Sequence, residues 1–179
     1  MDKNKLFHRG IEQSSLFYII VENILLISMF AIAFWGMLPL TILGLPIISI
    51  SYLIFAIIML GFVLRKHLCT HCYYYNKWCH CGWGKLASLF FEKESGNYDF
   101  AKKIALPTWG ILMGLPIPIM IAMLILKKIP MWTGGFILLT FMTLVFINSL
   151  LHKRDCCRCK MRFICPGSAA SKNGCDGCS

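Results

Sequence analysis

The chain has 179 residues, a length that suits one domain, yet 58% of them are hydrophobic and only 15% are charged. A soluble core of this size cannot absorb so much apolar side chain, whereas a bilayer can, so an ordinary water-soluble domain is excluded. The net charge of +10 admits nucleic acid, anionic lipid or membrane topology as its cause, and the placement of the charges decides among them.

In chain order, residues 1–15 are polar and of mixed charge. The apolar run that begins at Leu16 is too long for a signal-peptide core and lacks a small-residue cleavage site, so it reads as an uncleaved membrane span. It continues to Leu38, interrupted only by Glu22 and Asn23. A second run, Leu45 to Leu64, carries no charge. The third, Leu106 to Leu126, contains Pro107, Pro116 and Pro118, and the fourth, Met131 to Leu151, is uncharged with Asn148 near its end. Each is close to the ~20 residues a helix needs to cross the ~30 Å hydrocarbon layer. A bilayer admits only helices or closed barrels, and these runs lack the alternation of barrel strands. The expected fold is an all-α integral membrane protein with four transmembrane helices.

The connections alternate in length. Residues 39–44 and 127–130 are short, which makes residues 16–64 one hairpin and residues 106–151 another. Residues 1–15, the loop 65–105 and the tail 152–179 then share the opposite side, and they hold all 18 Lys and Arg except Lys127 and Lys128. The positive-inside rule places both termini and the long loop in the cytoplasm, beneath a cell (inner or plasma) membrane. Trp35 and Trp132 fall near the outer helix ends and Trp109 near an inner one, as interfacial aromatics should. Because the basic residues hug helix ends, they serve orientation and anionic headgroups. No base-reading or stacking face for nucleic acid is evident, so lipid is the expected partner, together with other membrane or cytoplasmic protein subunits.

An internal repeat follows from this topology. Leu64-Arg65-Lys66-His67 leads into Cys69-Thr70-His71-Cys72, and Leu151-His152-Lys153-Arg154 leads into Cys156-Cys157-Arg158-Cys159. Both read as leucine, basic cluster, C-x-x-C. Two hairpins of this kind form a parallel 2+2 repeat about an axis along the membrane normal, which brings the two C-x-x-C turns together under the bundle. Chance convergence on a generic metal knuckle is the competing explanation.

The cysteines carry the chemistry. Cys69, Cys72, Cys79 and Cys81 supply four thiols within one loop, and Cys156, Cys157, Cys159 and Cys165 supply four more in the tail, with Cys175 and Cys178 as a terminal pair. Four thiolates in paired spacing suit tetrahedral zinc, and His71 and His80 are interleaved as substitutes. Four thiolates also hold iron–sulfur clusters, although the C-x2-C-x2-C run is missing here. Two groupings stand open: each cluster closes on its own ion, or Cys69, Cys72, Cys156 and Cys159 share one across the axis. Disulfides, the ordinary explanation for ten cysteines, do not suit a reducing cytoplasm.

Residues between the clusters add detail. Cys81-Gly82-Trp83-Gly84 is a glycine-permitted turn, and Trp83, Leu86 and Phe90 recur at helical spacing, as in a short amphipathic helix on the inner surface. Tyr73, Tyr74, Tyr75 and Trp78 are expected to wrap the first cluster. Glu22 is the sole acidic residue of the four apolar runs, and an intramembrane carboxylate marks a functional site unless it snorkels or pairs with a cytoplasmic base. Asn23 and Asn148 read as interhelical hydrogen-bonders, and Gly114, Pro116 and Pro118 as a kink in helix three.

Cys81-Gly82-Trp83 just past a span, together with Cys165-Pro166, resembles membrane-bound ferredoxin-type electron-transfer subunits. That resemblance implies an iron–sulfur cluster passing electrons to quinone or a partner subunit. Four-helix thiol–quinone oxidoreductases resemble the chain in helix number, but their reactive cysteines face the oxidising side. No nucleophile–base pair, phosphate loop or paired carboxylate indicates catalysis. The sequence therefore supports a membrane protein with a cytoplasm-facing cysteine metal site, zinc ahead of iron–sulfur, acting as an accessory or docking subunit. Electron transfer and metal-ion handling are the alternatives.

Overall fold

A computed structural model describes residues 6–170, so Cys175 and Cys178 lie outside the described residues. Those residues are helical, with two isolated β-bridges and no strand. Four helices, Leu16–Met37, Ile47–His71, Tyr98–Ile125 and Met131–Arg158, are long and apolar enough to cross a membrane. Between 17% and 28% of each span's most apolar window is buried within the protein. Much of the remainder, including Ile20, Ile27, Ile57 and Leu139, faces outward as an apolar surface suited to lipid.

The first span is the single helix α1 (Leu16–Met37). The second comprises α2 (Ile47–Ala56), a widened π-helical stretch (Ile57–Val63) and α3 (Leu64–His67), ending in a 3-10 turn (Cys69–His71). Gly82, in the left-handed conformation, starts the surface helix α4 (Trp83–Phe90). That helix matches the amphipathic segment read from Trp83, Leu86 and Phe90, with Gly84 and Ala87 turned inward and Leu89 and Phe90 exposed.

Two boundaries differ from the hydropathy reading. The third span starts at Tyr98 in α5 (Tyr98–Gly114), because Asn97 accepts the Phe100 N–H at 3.0 Å as an N-cap and Asp99 follows in the first turn. The fourth span, α7 (Met131–Arg158), runs past Leu151 through the basic cluster, since nothing in His152 to Cys157 breaks a helix. Consequently the two C-x-x-C copies are not alike: Cys69 opens a 3-10 turn, whereas Cys156 and Cys157 sit in the last turn of a long helix.

The kink expected in helix three divides α5 from α6 (Pro116–Ile125) at Leu115. Pro116 has no N–H, so the carbonyl of Leu112 loses its helical donor. The Tyr52 hydroxyl, from α2, donates to that carbonyl at 2.8 Å in a fully buried setting. Replacing Tyr52 with Phe leaves the Leu112 oxygen unpaired in an apolar interior, with an expected destabilisation of about 1–3 kcal/mol, measurable as a lowered unfolding midpoint in detergent. Around this bond Met29, Ala33, Leu60, Leu64, Leu112, Met120 and Phe141 form the core. Gly36 of α1 lies against Met120, where a Cβ would come within 2.5 Å of the Met120 methyl. Small residues let helices close on one another in this way.

At one end of the bundle the N-terminal segment, the loop and the tail make a cap. Phe7 donates its backbone N–H to Lys160 and Ile11 to Arg158, both at 2.9 Å, and Ser14 donates to Trp78 at 2.9 Å. Tyr74, 3% exposed, donates its hydroxyl to the Ile11 carbonyl at 2.6 Å and accepts the Lys160 N–H at 3.1 Å. The three consecutive tyrosines thus clasp neighbouring segments as well as shielding the thiols: Tyr73 donates to Glu12 and Tyr75 to the Phe91 carbonyl.

Glu12 also pairs with Lys160, and this pairing first, then the Tyr73 hydrogen bond, lowers its pKa from 4.5 to about 2. A carboxylate depressed in the folded state contributes stability that is present above 4.5 and lost as pH falls toward about 2. Backbone exchange at Phe7 and Ile11, corrected for intrinsic rates, is therefore expected to rise across that window in the native protein. In a Glu12→Gln variant it should be raised already at neutral pH and show no such step.

Candidate metal centre in the cap

Cys69 and Cys72 are presented by the 3-10 turn that ends the second span, where the Thr70 hydroxyl donates to the Lys66 carbonyl at 2.5 Å and holds the turn closed. Cys79 and Cys81 lie on the turn before α4. Gly82, at φ +72°, reverses the chain there, and the backbone N–H groups of Cys81, Gly82, Trp83 and Gly84 gather at the Cys79 sulfur. Gly84 N–H reaches it at 3.4 Å. Gly84 has no room for a side chain, since a Cβ would lie 2.1 Å from the Tyr74 carbonyl oxygen. Cys165 comes from the tail, after Cys159 has ended α7.

A common feature links these thiols. The N–H two residues onward is directed at the sulfur in four cases: Tyr74 to Cys72, Cys81 to Cys79, Met161 to Cys159 and Gly167 to Cys165. Hydrogen bonds of this type favour the thiolate, the form that binds a metal. Burial works the other way. It pushes Cys72 and Cys81 well above the usual thiol range, Cys159 to about 12 and Cys165 to about 11. Without a cation these thiols stay protonated and are poor nucleophiles, which is the behaviour of ligand or structural cysteines rather than of reactive dithiols.

Four buried thiols from the two halves lie within electrostatic range of one another. Cys69 is within electrostatic reach of Cys72, Cys79 and Cys165, Cys72 of Cys79 and Cys165, and Cys79 of Cys165, so every pair is represented. Cys165 in turn neighbours Cys156 and Cys159. This grouping is neither of the two that spacing suggests. The first-loop thiols draw in Cys165, because α7 carries Cys156 and Cys157 up into its last turn. Cys156 lies with its Sγ 3.5 Å from His152 Nε2. Cys157 is buried and disulfide-bonded, so it offers no thiolate and departs from the expectation of reduced thiols throughout.

Cys81, itself within electrostatic reach of Cys69 and Cys79, lies against α1. Its Sγ is 3.7 Å from Glu22 Oε1, and His80 Nε2 is 3.8 Å from the same oxygen. Among the described residues this is the one group of three or more such side chains whose ligand atoms all lie within 4.8 Å of one another; the four thiols are more widely set. Asn23 supports the turn by donating to the Cys81 carbonyl at 3.1 Å and to Ile19 at 2.7 Å, so it ties α1 to the loop rather than to another helix. Asn148 donates to Leu144 of its own helix at 2.9 Å. Neither makes the interhelical bond expected of it.

No family model, curated protein or solved structure matches this chain. Its residues alone carry the functional reading.

Several participants escaped the sequence reading. His152 lies 5.5 Å, ring to ring, from His80, and its Nε2 contacts the Gly167 carbonyl at 2.8 Å; its place in a basic cluster made it look topological. Arg65, within reach of Cys69, Cys79 and Cys81 and stacked 5.3 Å over Trp83, was hidden in the same way. His71, by contrast, contacts the Gly96 carbonyl at 2.8 Å through Nε2 and so serves the loop.

Proposed function

We propose that this is a multi-pass membrane protein whose cap, on the cytoplasmic side, binds one metal ion or cluster through Cys69, Cys72, Cys79 and Cys165. In this reading zinc is the first choice, and the protein acts as an accessory or docking subunit. The observation that carries the reading is that those four buried thiols, three from the loop and one from the tail, all lie within electrostatic range of one another. A cation would draw them to the ~2.3 Å zinc–sulfur distance, supply the charge that ionises them and lock the two hairpins together at one end. The same atoms suit an iron–sulfur cluster. Orientation rests on the concentration of Lys and Arg in the cap segments.

Elemental analysis and visible absorption of the detergent-purified protein test this. Zinc with no chromophore is the expected result. Iron with acid-labile sulfide and a reducible chromophore selects the electron-transfer reading instead. The absence of both metals, in protein prepared without chelators, contradicts both.

A further inference from the structure

We propose that Glu22, His80 and Cys81 form a second divalent-metal site, distinct from the four thiols, at the end of the bundle where α1 meets the cap. The three side chains come from a membrane helix and from adjacent positions of the loop, and their ligand atoms already lie within 4.8 Å of one another. Two further observations point to a ligand. Glu22 Oε2 and His80 Nε2 are both shut off from solvent and have no hydrogen-bond partner, although 21% of the His80 side chain remains exposed elsewhere. Buried polar atoms are seldom left unpaired, and a carboxylate beside the hydrocarbon layer is the most expensive to leave so.

The chemistry of the donors selects the class of ion. One sulfur, one imidazole nitrogen and one carboxylate oxygen suit a borderline cation such as zinc or cobalt, whereas magnesium and calcium prefer all-oxygen shells. A thiolate and a carboxylate balance the two positive charges, so the filled site is neutral where it touches the apolar bundle. Three protein ligands leave a fourth position. His80 also lines a small cavity with Ser14, Tyr74, Asp155 and Cys159, with room for about one water molecule. The site shares no residue with the four-thiol group, so it stands or falls separately.

The test uses the full chain in detergent, stripped by chelator and titrated with cobalt, whose sulfur-to-metal absorption reports thiolate ligation. The native protein is expected to take up two equivalents. Glu22→Gln and Cys81→Ser should each weaken one of them by at least about 100-fold, beyond the ~10–100-fold that loss of an outer-shell partner brings. Cys81→Ser should also remove the sulfur band of that equivalent, while both variants keep the band of the other. Uptake of two equivalents at native affinity by both variants overturns the proposal. So does a single native equivalent abolished by Cys72→Ser but untouched by Glu22→Gln, a result that leaves the four-thiol reading standing. A single equivalent lost in Glu22→Gln and Cys81→Ser but kept in Cys72→Ser supports this site and removes the other.

Discussion

Replacing Cys165 with serine is expected to weaken metal binding by the cap as severely as replacing Cys72, by about 100-fold or more, since either change removes an inner ligand. Cys72 belongs to a C-x-x-C turn and is the obvious target, whereas Cys165 lies in the tail, in the other half of the sequence. Their equivalence follows from proximity, because Cys165 stands within reach of Cys69, Cys72 and Cys79 at once. The loss should extend beyond affinity. Tyr98 of α5 donates to the Ile164 carbonyl at 3.0 Å beside Cys165, so a tail no longer held by a metal relies on single hydrogen bonds of this kind, each worth about 1 kcal/mol, and on local packing such as Phe163 against Phe7. Protease sensitivity of the segment after α7 should rise in Cys165→Ser and in chelator-treated protein alike. Cleavage of the native protein at the same rate with and without chelator would contradict this.

The second large effect is expected from Gly84→Ala, which adds one methyl group outside the ligand set. That methyl would lie 2.1 Å from the Tyr74 carbonyl oxygen, 2.9 Å from its carbon and 3.0 Å from the Lys77 carbonyl oxygen. All three are backbone atoms, so no side-chain rotation relieves the contact. Either the turn at residues 74–77 or the start of α4 must shift, and overpacking of this kind costs about 3 kcal/mol. The turn already includes Asn76 in the left-handed conformation, its N–H bonded to the Gly84 carbonyl at 3.1 Å. Moving it displaces Tyr74, the residue that joins Ile11 to Lys160. The variant should therefore lose cap stability and metal together, with a lowered unfolding midpoint, whereas Gly110→Ala, where a Cβ meets nothing within 4 Å, should change neither.

Much of the fold was legible because hydrocarbon imposes one simple demand, a long apolar helix, and four such runs stand out in the sequence. The errors fell where that demand stops. The start of α5 at Tyr98 depends on the Asn97 cap and a polar first turn, neither of which hydropathy registers. The extension of α7 to Arg158 passed unnoticed because a basic cluster at a membrane edge reads as a boundary marker, although arginine and lysine are good helix formers. The site was legible in its residue types and not in its partnerships. Cysteine spacing grouped Cys69, Cys72, Cys79 and Cys81 in the loop and Cys165 with the tail thiols, whereas the coupling of Cys165 to Cys69, Cys72 and Cys79 depends on how the tail folds back on the loop. Glu22 was marked by the expense of its location alone; its contacts with His80 and Cys81 connect residues far apart in the chain. The expected likeness of the two C-x-x-C copies did not carry into structure, since one sits in a 3-10 turn and the other ends a long helix.

The central claim, that loop and tail thiols share one metal, is tested most directly by alkylating the native protein before and after chelation and reading each cysteine by mass spectrometry. Cys69, Cys72, Cys79 and Cys165 should be protected together, and should become reactive together as metal leaves and the loosened tail exposes them, which removes the burial that keeps them protonated. Unchanged alkylation of all four on chelation, or a response from the loop cysteines without Cys165, would contradict it.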